Sequence, residues 1–300
     1  MAMQLNNDQV KLELCEPGEV YRGMRFDWTG QIEQITYKGG EPYTFCTREI
    51  PDAPLTRQGF GLVNEFGIDQ ALGYRDCPVG EQFHKIGVGL LTRDTHESYD
   101  FFRDYPVQPY EFKVSAVSDT RSVFTCEAAE HRGYQFKLEK QIELAGAGFS
   151  IQYTFTNSGK KHIRTNEYVH NFLAVNEQEI GSNYTLRFSF PIDPKRFHAN
   201  VNPEAAVQFD ANQVFWKKTP EQQFYVANVG GAPQSGASWT LVFDNAIRIR
   251  EQVDFQTTVN LWGHSHVVSP EFFFELDAAP GEQVTWQRRY DILPETGKKS

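Results

Sequence analysis

The chain has 300 residues, of which 40% are hydrophobic and 23% charged, with a formal charge of -10 and a pI near 5.3. That balance supports a packed core and argues against disorder, while the acidic field argues against nucleic-acid and anionic membrane partners. An aromatic share of 14% favours pleated, half-buried surfaces and so points toward strands.

The opening MAMQLNNDQV has neither a basic stretch nor an apolar run, and no later segment has ~18 uninterrupted apolar residues, so an unexported, cytoplasmic protein is expected. Cys15, Cys46, Cys77 and Cys126 are scattered without a CxxC pair, which suggests neither a zinc ribbon nor a disulfide framework and suits a reducing compartment. Period-2 alternation is the dominant local signal. Tyr134, Phe136, Leu138, Ile142 and Leu144 alternate with polar residues, AGAG breaks the pattern, and Phe149, Ile151, Tyr153 and Phe155 resume it, which predicts a hairpin. After the turn TNSGKK a strand is predicted over 163–175. Further strands follow over 184–190, 239–243, 247–249, 259–262, 271–276 and 284–292, several separated by PG or GG. Helical periodicity is scarce, no linker composition appears, and no fixed repeat stands out. Short strands at regular spacing predict an all-β two-sheet sandwich occupying 1–300 as one domain.

In TNEYVHNFLAVN, strand parity puts Asn166, Tyr168, His170 and Phe172 on one face and Glu167, Val169 and Asn171 on the other. His170 is then either a hydrogen-bonded core histidine or a proton donor facing a cleft. In SPEFFFELDAAPGE, Glu271, Phe273 and Glu275 alternate with Phe272, Phe274 and Leu276. A carboxyl set among aromatics, as Glu275 is, has its pKa raised toward neutrality and suits acid–base work, although two glutamates on a solvated face give the same alternation. His264, His266 and Glu271 in LWGHSHVVSPE reproduce the His-x-His-x4-Glu spacing by which cupin barrels hold a divalent metal. No histidine follows His266 to complete such a set, so no metal is expected.

These segments together resemble the aldose 1-epimerase, or galactose mutarotase-like, superfamily. His170-Asn171-Phe172-Leu173 is similar to the stretch beginning at that family's catalytic histidine, and FFFEL to its hydrophobic run ending in the catalytic glutamate, which falls on Glu275. Pro280-Gly281-Glu282 and VTWQRRY resemble the closing strand, and GMRFDWTGQIEQITYKG the opening hairpin. GLVNEFGI and GEQFHKIGVGLL resemble segments of a divergent branch. The resemblance spans about 18–293. The family's Leu-His-Gly-Gly type motif is absent, with His84 as its positional stand-in, and a shifted alignment would put Glu167 where His170 stands.

The resemblance implies the galactose mutarotase-like supersandwich of two large, mostly antiparallel sheets, with a sugar cleft across one of them. It implies that Glu275 removes the anomeric hydroxyl proton while His170 protonates the ring oxygen, without a cofactor, so that the α and β anomers of an aldose interconvert. By motif position Asn64, Glu65, His84, Lys85, His264 and Glu271 are expected to hold the sugar, and Trp262 to stack on it. A monomer or homodimer is expected. A non-catalytic sugar-binding protein on the same fold, a glycoside hydrolase using paired carboxylates and a cupin-like metal protein are the competing readings.

Overall fold

The computed structural model describes residues 3–294, and the alternation read from the sequence becomes strand along most of them, with Val175–Glu177 and Pro194–Arg196 as short 3-10 turns. One sheet has eleven strands. Its main path runs Met3–Asn6, Val10–Leu14, Ile32–Tyr37, Leu62–Phe66, Ile163–Asn171, Val267–Ala278, Gln256–His264, Phe224–Ala227 and Ala199–Val201. The second sheet has ten strands and is centred on Ile247–Val253, Gln283–Pro294, Gly148–Asn157 and Tyr134–Ala145. The paired strands run antiparallel, so the two large antiparallel sheets that the sequence implied are present.

The expected hairpin forms between Tyr134–Ala145 and Gly148–Asn157, with Gly146 at φ 56° in the turn. Its inward residues are Phe136, Leu138, Ile142 and Leu144 on one strand and Phe149, Ile151, Tyr153 and Phe155 on the other. Such alternation is what a sheet with one buried face requires. Two expectations fail in extent, because the strand predicted over 184–190 ends at Phe188 and the one predicted over 163–175 ends at Asn171. Beyond it Leu173 makes isolated bridges to Cys46 and Val268, and Asn176 and Glu177 adopt positive φ, which takes the chain out of the ladder.

The space between the sheets is filled by a large apolar cluster, but its centre is ionic. Arg288, wholly buried, donates to Glu167 at 2.7 Å, to Glu251 at 2.9 Å and to the Phe272 carbonyl at 2.9 Å. Trp239 donates to Glu251 at 2.6 Å, and Trp286 to Glu167 at 3.2 Å. Lys140 breaks the apolar run of its strand to reach the Thr29 carbonyl, the Asn64 carbonyl oxygen and Asp27. Buried charges persist only when paired and hydrogen-bonded, and these are.

A second, smaller core forms on the outer face of the eleven-stranded sheet. There a three-stranded sheet of Gln82–Lys85, Gly89–Thr92 and Val107–Pro109, with the loops around it, packs Phe26, Phe83, Leu91 and Tyr105 against Val63, Phe172 and Val267. It covers part of that face. The uncovered part is the floor of a cleft.

Candidate active site

Cross-strand register decides which side chains enter the cleft. Antiparallel partners share a face. Tyr168 pairs with Glu65 on one side and Phe273 on the other, and Phe273 pairs in turn with Thr258. His170 pairs with Val63, Asn166 with Glu275, Asn260 with Glu271, Ser269 with Trp262, and Trp262 with Tyr225. The same ladder puts His170 and Glu271 side by side. Four neighbouring strands thus contribute a floor, and Arg25, Glu49, Ile68, Asp69, Phe101 and Phe102 wall it from the loops. The cavity has a volume of about 590 Å³.

At the centre of the floor, His170 Nε2 lies 3.3 Å from Glu271 Oε1. Ser269 Oγ sits 2.9 Å from His170 Nδ1 and 3.3 Å from Glu271 Oε1. The imidazole is stacked on Phe172, with ring centroids 4.0 Å apart, and meets the edge of Trp262 at 5.1 Å. Burial, reinforced by the Arg25 guanidinium, holds the imidazole well below its ordinary range. Burial also raises the Glu271 carboxyl to about 8, against the opposing pull of Arg25 and the Ser269 hydroxyl. Both shifts favour the uncharged forms, a carboxylic acid facing a neutral imidazole.

Beneath the floor, Glu65 accepts from Arg25 Nε at 2.8 Å, from Tyr168 at 2.7 Å and from Lys85 at 3.3 Å. Burial alone would raise this carboxyl, but Arg25, Lys85 and the Tyr168 hydroxyl outweigh it and hold it below its ordinary value. Arg25 also donates to Glu49 at 3.3 Å and to Tyr168 at 3.1 Å, and its guanidinium lies over the rings of Phe26, Phe101 and Phe102. Phe102 is 75% exposed at the mouth.

The residues singled out from sequence fall into three groups. His170, Glu271, Trp262 and Glu275 line the cleft. Among them Glu271 lies beside the histidine, while Glu275 stands four residues farther along the same face, exposed at the rim, its carboxyl raised by partial burial and by Asp69. Glu65 and Lys85 form the wholly buried layer below, and Lys85 also donates to Tyr99 at 3.0 Å.

Asn64, His84 and His264 do not line the cleft. Asn64 pairs with Val169 and so faces the core, where Tyr153, Glu167 and Lys140 take up its amide. His84 is buried between Tyr110, at 2.6 Å, and the His131 carbonyl, at 3.1 Å, and burial lowers it to about 4. His264 bonds to Ser265 at the end of its hairpin. It lies four positions along the strand from Asn260, the partner of Glu271, which is ~13 Å in a strand. The cupin-like triad is therefore not assembled, and no group of three potential metal ligands occurs among the described residues. Glu167 points to the core and His170 to the cleft, as parity requires. Arg25, Asp69, Phe101, Phe102, Tyr225 and Asn260 escaped the sequence reading. The Phe101-Phe102 doublet in a polar loop was the one available signal.

No sequence-family model and no curated protein matches this chain. Solved structures do. A galactose mutarotase related enzyme from Lactobacillus acidophilus superposes with a TM-score of 0.59 at 10% identity, covering 99% of this chain and 98% of that one. A galactose mutarotase-like protein from Lactobacillus casei gives 0.58 at 15% identity over 98% and 100% of the two chains. An aldose epimerase homologue from C. elegans gives 0.57 at 9% over 98% and 99%. At these identities the likeness is one of fold.

Proposed function

We propose that this chain, which has the galactose mutarotase-like fold, interconverts the α and β anomers of an aldose with His170 and Glu271 as its acid–base pair. The observation that carries this reading is their 3.3 Å approach on the floor of an aromatic-walled cleft. Opening a hemiacetal requires one group to take the anomeric hydroxyl proton and another to protonate the ring oxygen, which receives the electrons of the breaking C1–O bond as the aldehyde forms. The two oxygens sit on one carbon, and two adjacent groups can address both. In this reading Glu271 takes the hydroxyl proton and His170 delivers its own through Nε2. Rotation about C1–C2 and reversal of both transfers close the ring on its other face.

Trp262, Tyr168 and Phe273 offer ring surface to the apolar face of a sugar, and Asn260, Tyr225, Asp69 and Glu275 offer partners to its hydroxyls. The base role moves from Glu275 to Glu271 because Glu271 is the carboxyl paired with the histidine.

Saturation-transfer NMR of anomer exchange over a panel of aldoses tests the assignment. Glu271→Gln and His170→Asn are expected to lose ~10²–10⁴-fold in rate. Glu275→Gln is expected to act chiefly through KM. No acceleration by the wild type with any aldose, while sugars still bind, would replace the reading with a non-catalytic sugar-binding protein.

A further inference from the structure

Between the two groups of the pair lies a hydroxyl that the steps above leave idle. Ser269 is fully buried and shares the cleft face of its strand with Glu271. Its Oγ contacts His170 Nδ1 at 2.9 Å and Glu271 Oε1 at 3.3 Å, and it accepts the main-chain N–H of Asn171 at 3.0 Å. Asn171 is itself fixed from the core side, its amide donating to the Pro270 carbonyl at 2.7 Å and accepting from Tyr290 at 3.1 Å. The serine oxygen therefore has a fixed place between an acid and a base.

A neutral resting pair poses a chemical problem. A carboxylic acid has no site to take a hydroxyl proton, and a neutral imidazole is a weak donor to a ring oxygen. We propose that Ser269 is a proton relay that carries the Glu271 proton to Nδ1 of His170 and so arms the pair for ring opening. This rests on the epimerase reading. In the relay the Glu271 Oε1–H bond breaks and its proton goes to Ser269 Oγ, while the serine proton leaves Oγ for Nδ1. The hydroxyl is regenerated, and the net change is one proton moved from carboxyl to imidazole, with no outside acid or base.

The product is a carboxylate able to accept the anomeric proton, beside an imidazolium whose Nε2 lies 3.3 Å from Oε1 of that carboxylate. The hydrogen-bond inventory closes at each end. Before transfer the serine oxygen accepts from Glu271 and Asn171 and donates to Nδ1, and after it the oxygen accepts from Nδ1 and Asn171 and donates to the carboxylate. Direct passage from Oε1 to Nε2 is closed in this tautomer, because Nε2 already carries its proton. The raised carboxyl and lowered imidazole described above are what make the neutral pair the starting state.

The test reads the histidine nitrogens directly. In ¹⁵N-histidine-labelled protein at pH 7, with His170 assigned by its absence from His170→Asn, the relay requires a bare, hydrogen-bonded Nδ1 and a protonated Nε2. In Ser269→Ala the Nδ1 resonance should move to that of a nitrogen without a donor. The kcat for anomer exchange should then fall at least ~10-fold at unchanged KM, and Ser269→Thr, which keeps the hydroxyl, should restore it. A neutral Nδ1–H tautomer in the wild type would overturn the relay, as would a kcat for Ser269→Ala within twofold of wild type. If the wild type turns over no aldose, the epimerase reading falls, and the wild-type spectrum alone still decides whether the proton network is as described. The same spectrum decides if Ser269→Ala does not fold.

Discussion

Because burial raises the Glu271 carboxyl to about 8 while the unfolded chain titrates it near 4.5, the folded protein holds one more proton than the unfolded chain between those pH values. Stability from this group is therefore whole below pH ~4.5 and is lost as the pH rises through 8. Glu271→Gln keeps the neutral shape without the titration. It should be more stable than wild type at pH 9 by on the order of a few kcal/mol, with the gap closing toward pH 4, as urea unfolding across that range will show. The residue proposed as base thus weakens the fold at the pH where it is ionised. Glu65 has the opposite sign, since its lowered pKa means that its contribution is present above its unfolded value and lost as the pH falls. Removing a cation from it has a direct cost. Lys85→Met leaves the Glu65 carboxylate with Arg25 as its one remaining cationic partner in a wholly buried site, and should destabilise by about 3–5 kcal/mol in denaturant unfolding.

At the scale of the element, the site depends on strand starts and registers. Gly61, at φ 60°, opens the strand Leu62–Phe66 that carries Glu65, and a Cβ there would lie 1.9 Å from the Ile32 carbonyl oxygen. Gly61→Ala should therefore cost about 2–3 kcal/mol and lower Tm, with Glu65 displaced from Arg25. The same scale explains what could be read in advance. Parity within Ile163–Asn171 is a local property, so the separation of His170 from Glu167 was visible in the sequence. Register between strands is not local. His170 and Glu271 are a hundred residues apart, and Glu271 and Glu275 share one face, so alternation alone cannot say which of them meets the histidine. Asn64 and Glu65 show the same limit, because only the pairing with Val169 and Tyr168 sends one to the core between the sheets and the other to the buried layer beneath the cleft floor. The walls were least legible, since Arg25, Asp69 and Phe102 lie on loops that carry no period.

Across the whole molecule, the two sheets are joined by an ionic centre as well as by apolar burial. Arg288 comes from one sheet and Glu167 from the other, with Glu251 beside them. Arg288→Met should destabilise by about 3–5 kcal/mol because it strands two buried carboxylates, and adding Glu167→Gln and Glu251→Gln should recover most of that loss. A denaturant series on the single and triple variants distinguishes this from simple loss of packing, which the added glutamines would not repair. The fold class was legible because a sheet with one buried face imprints its period on every long strand, and strands make up about half of the described residues. The ionic centre was not, since nothing in the local sequence marks Lys140, Glu251 and Arg288 as buried or joins them to Glu167 until the far strands are brought together.

The cleft described above draws its floor from laddered strands and its walls from loops. Apart from Arg25, which is bonded to Glu65 and Tyr168, the walls can change without touching the floor. Exchanging the loop segments that hold Asp69 and Phe101-Phe102 would redraw the outline offered to a ligand while His170 and Glu271 keep their spacing, provided that Arg25, which is tied to Glu65 beneath the floor, is retained.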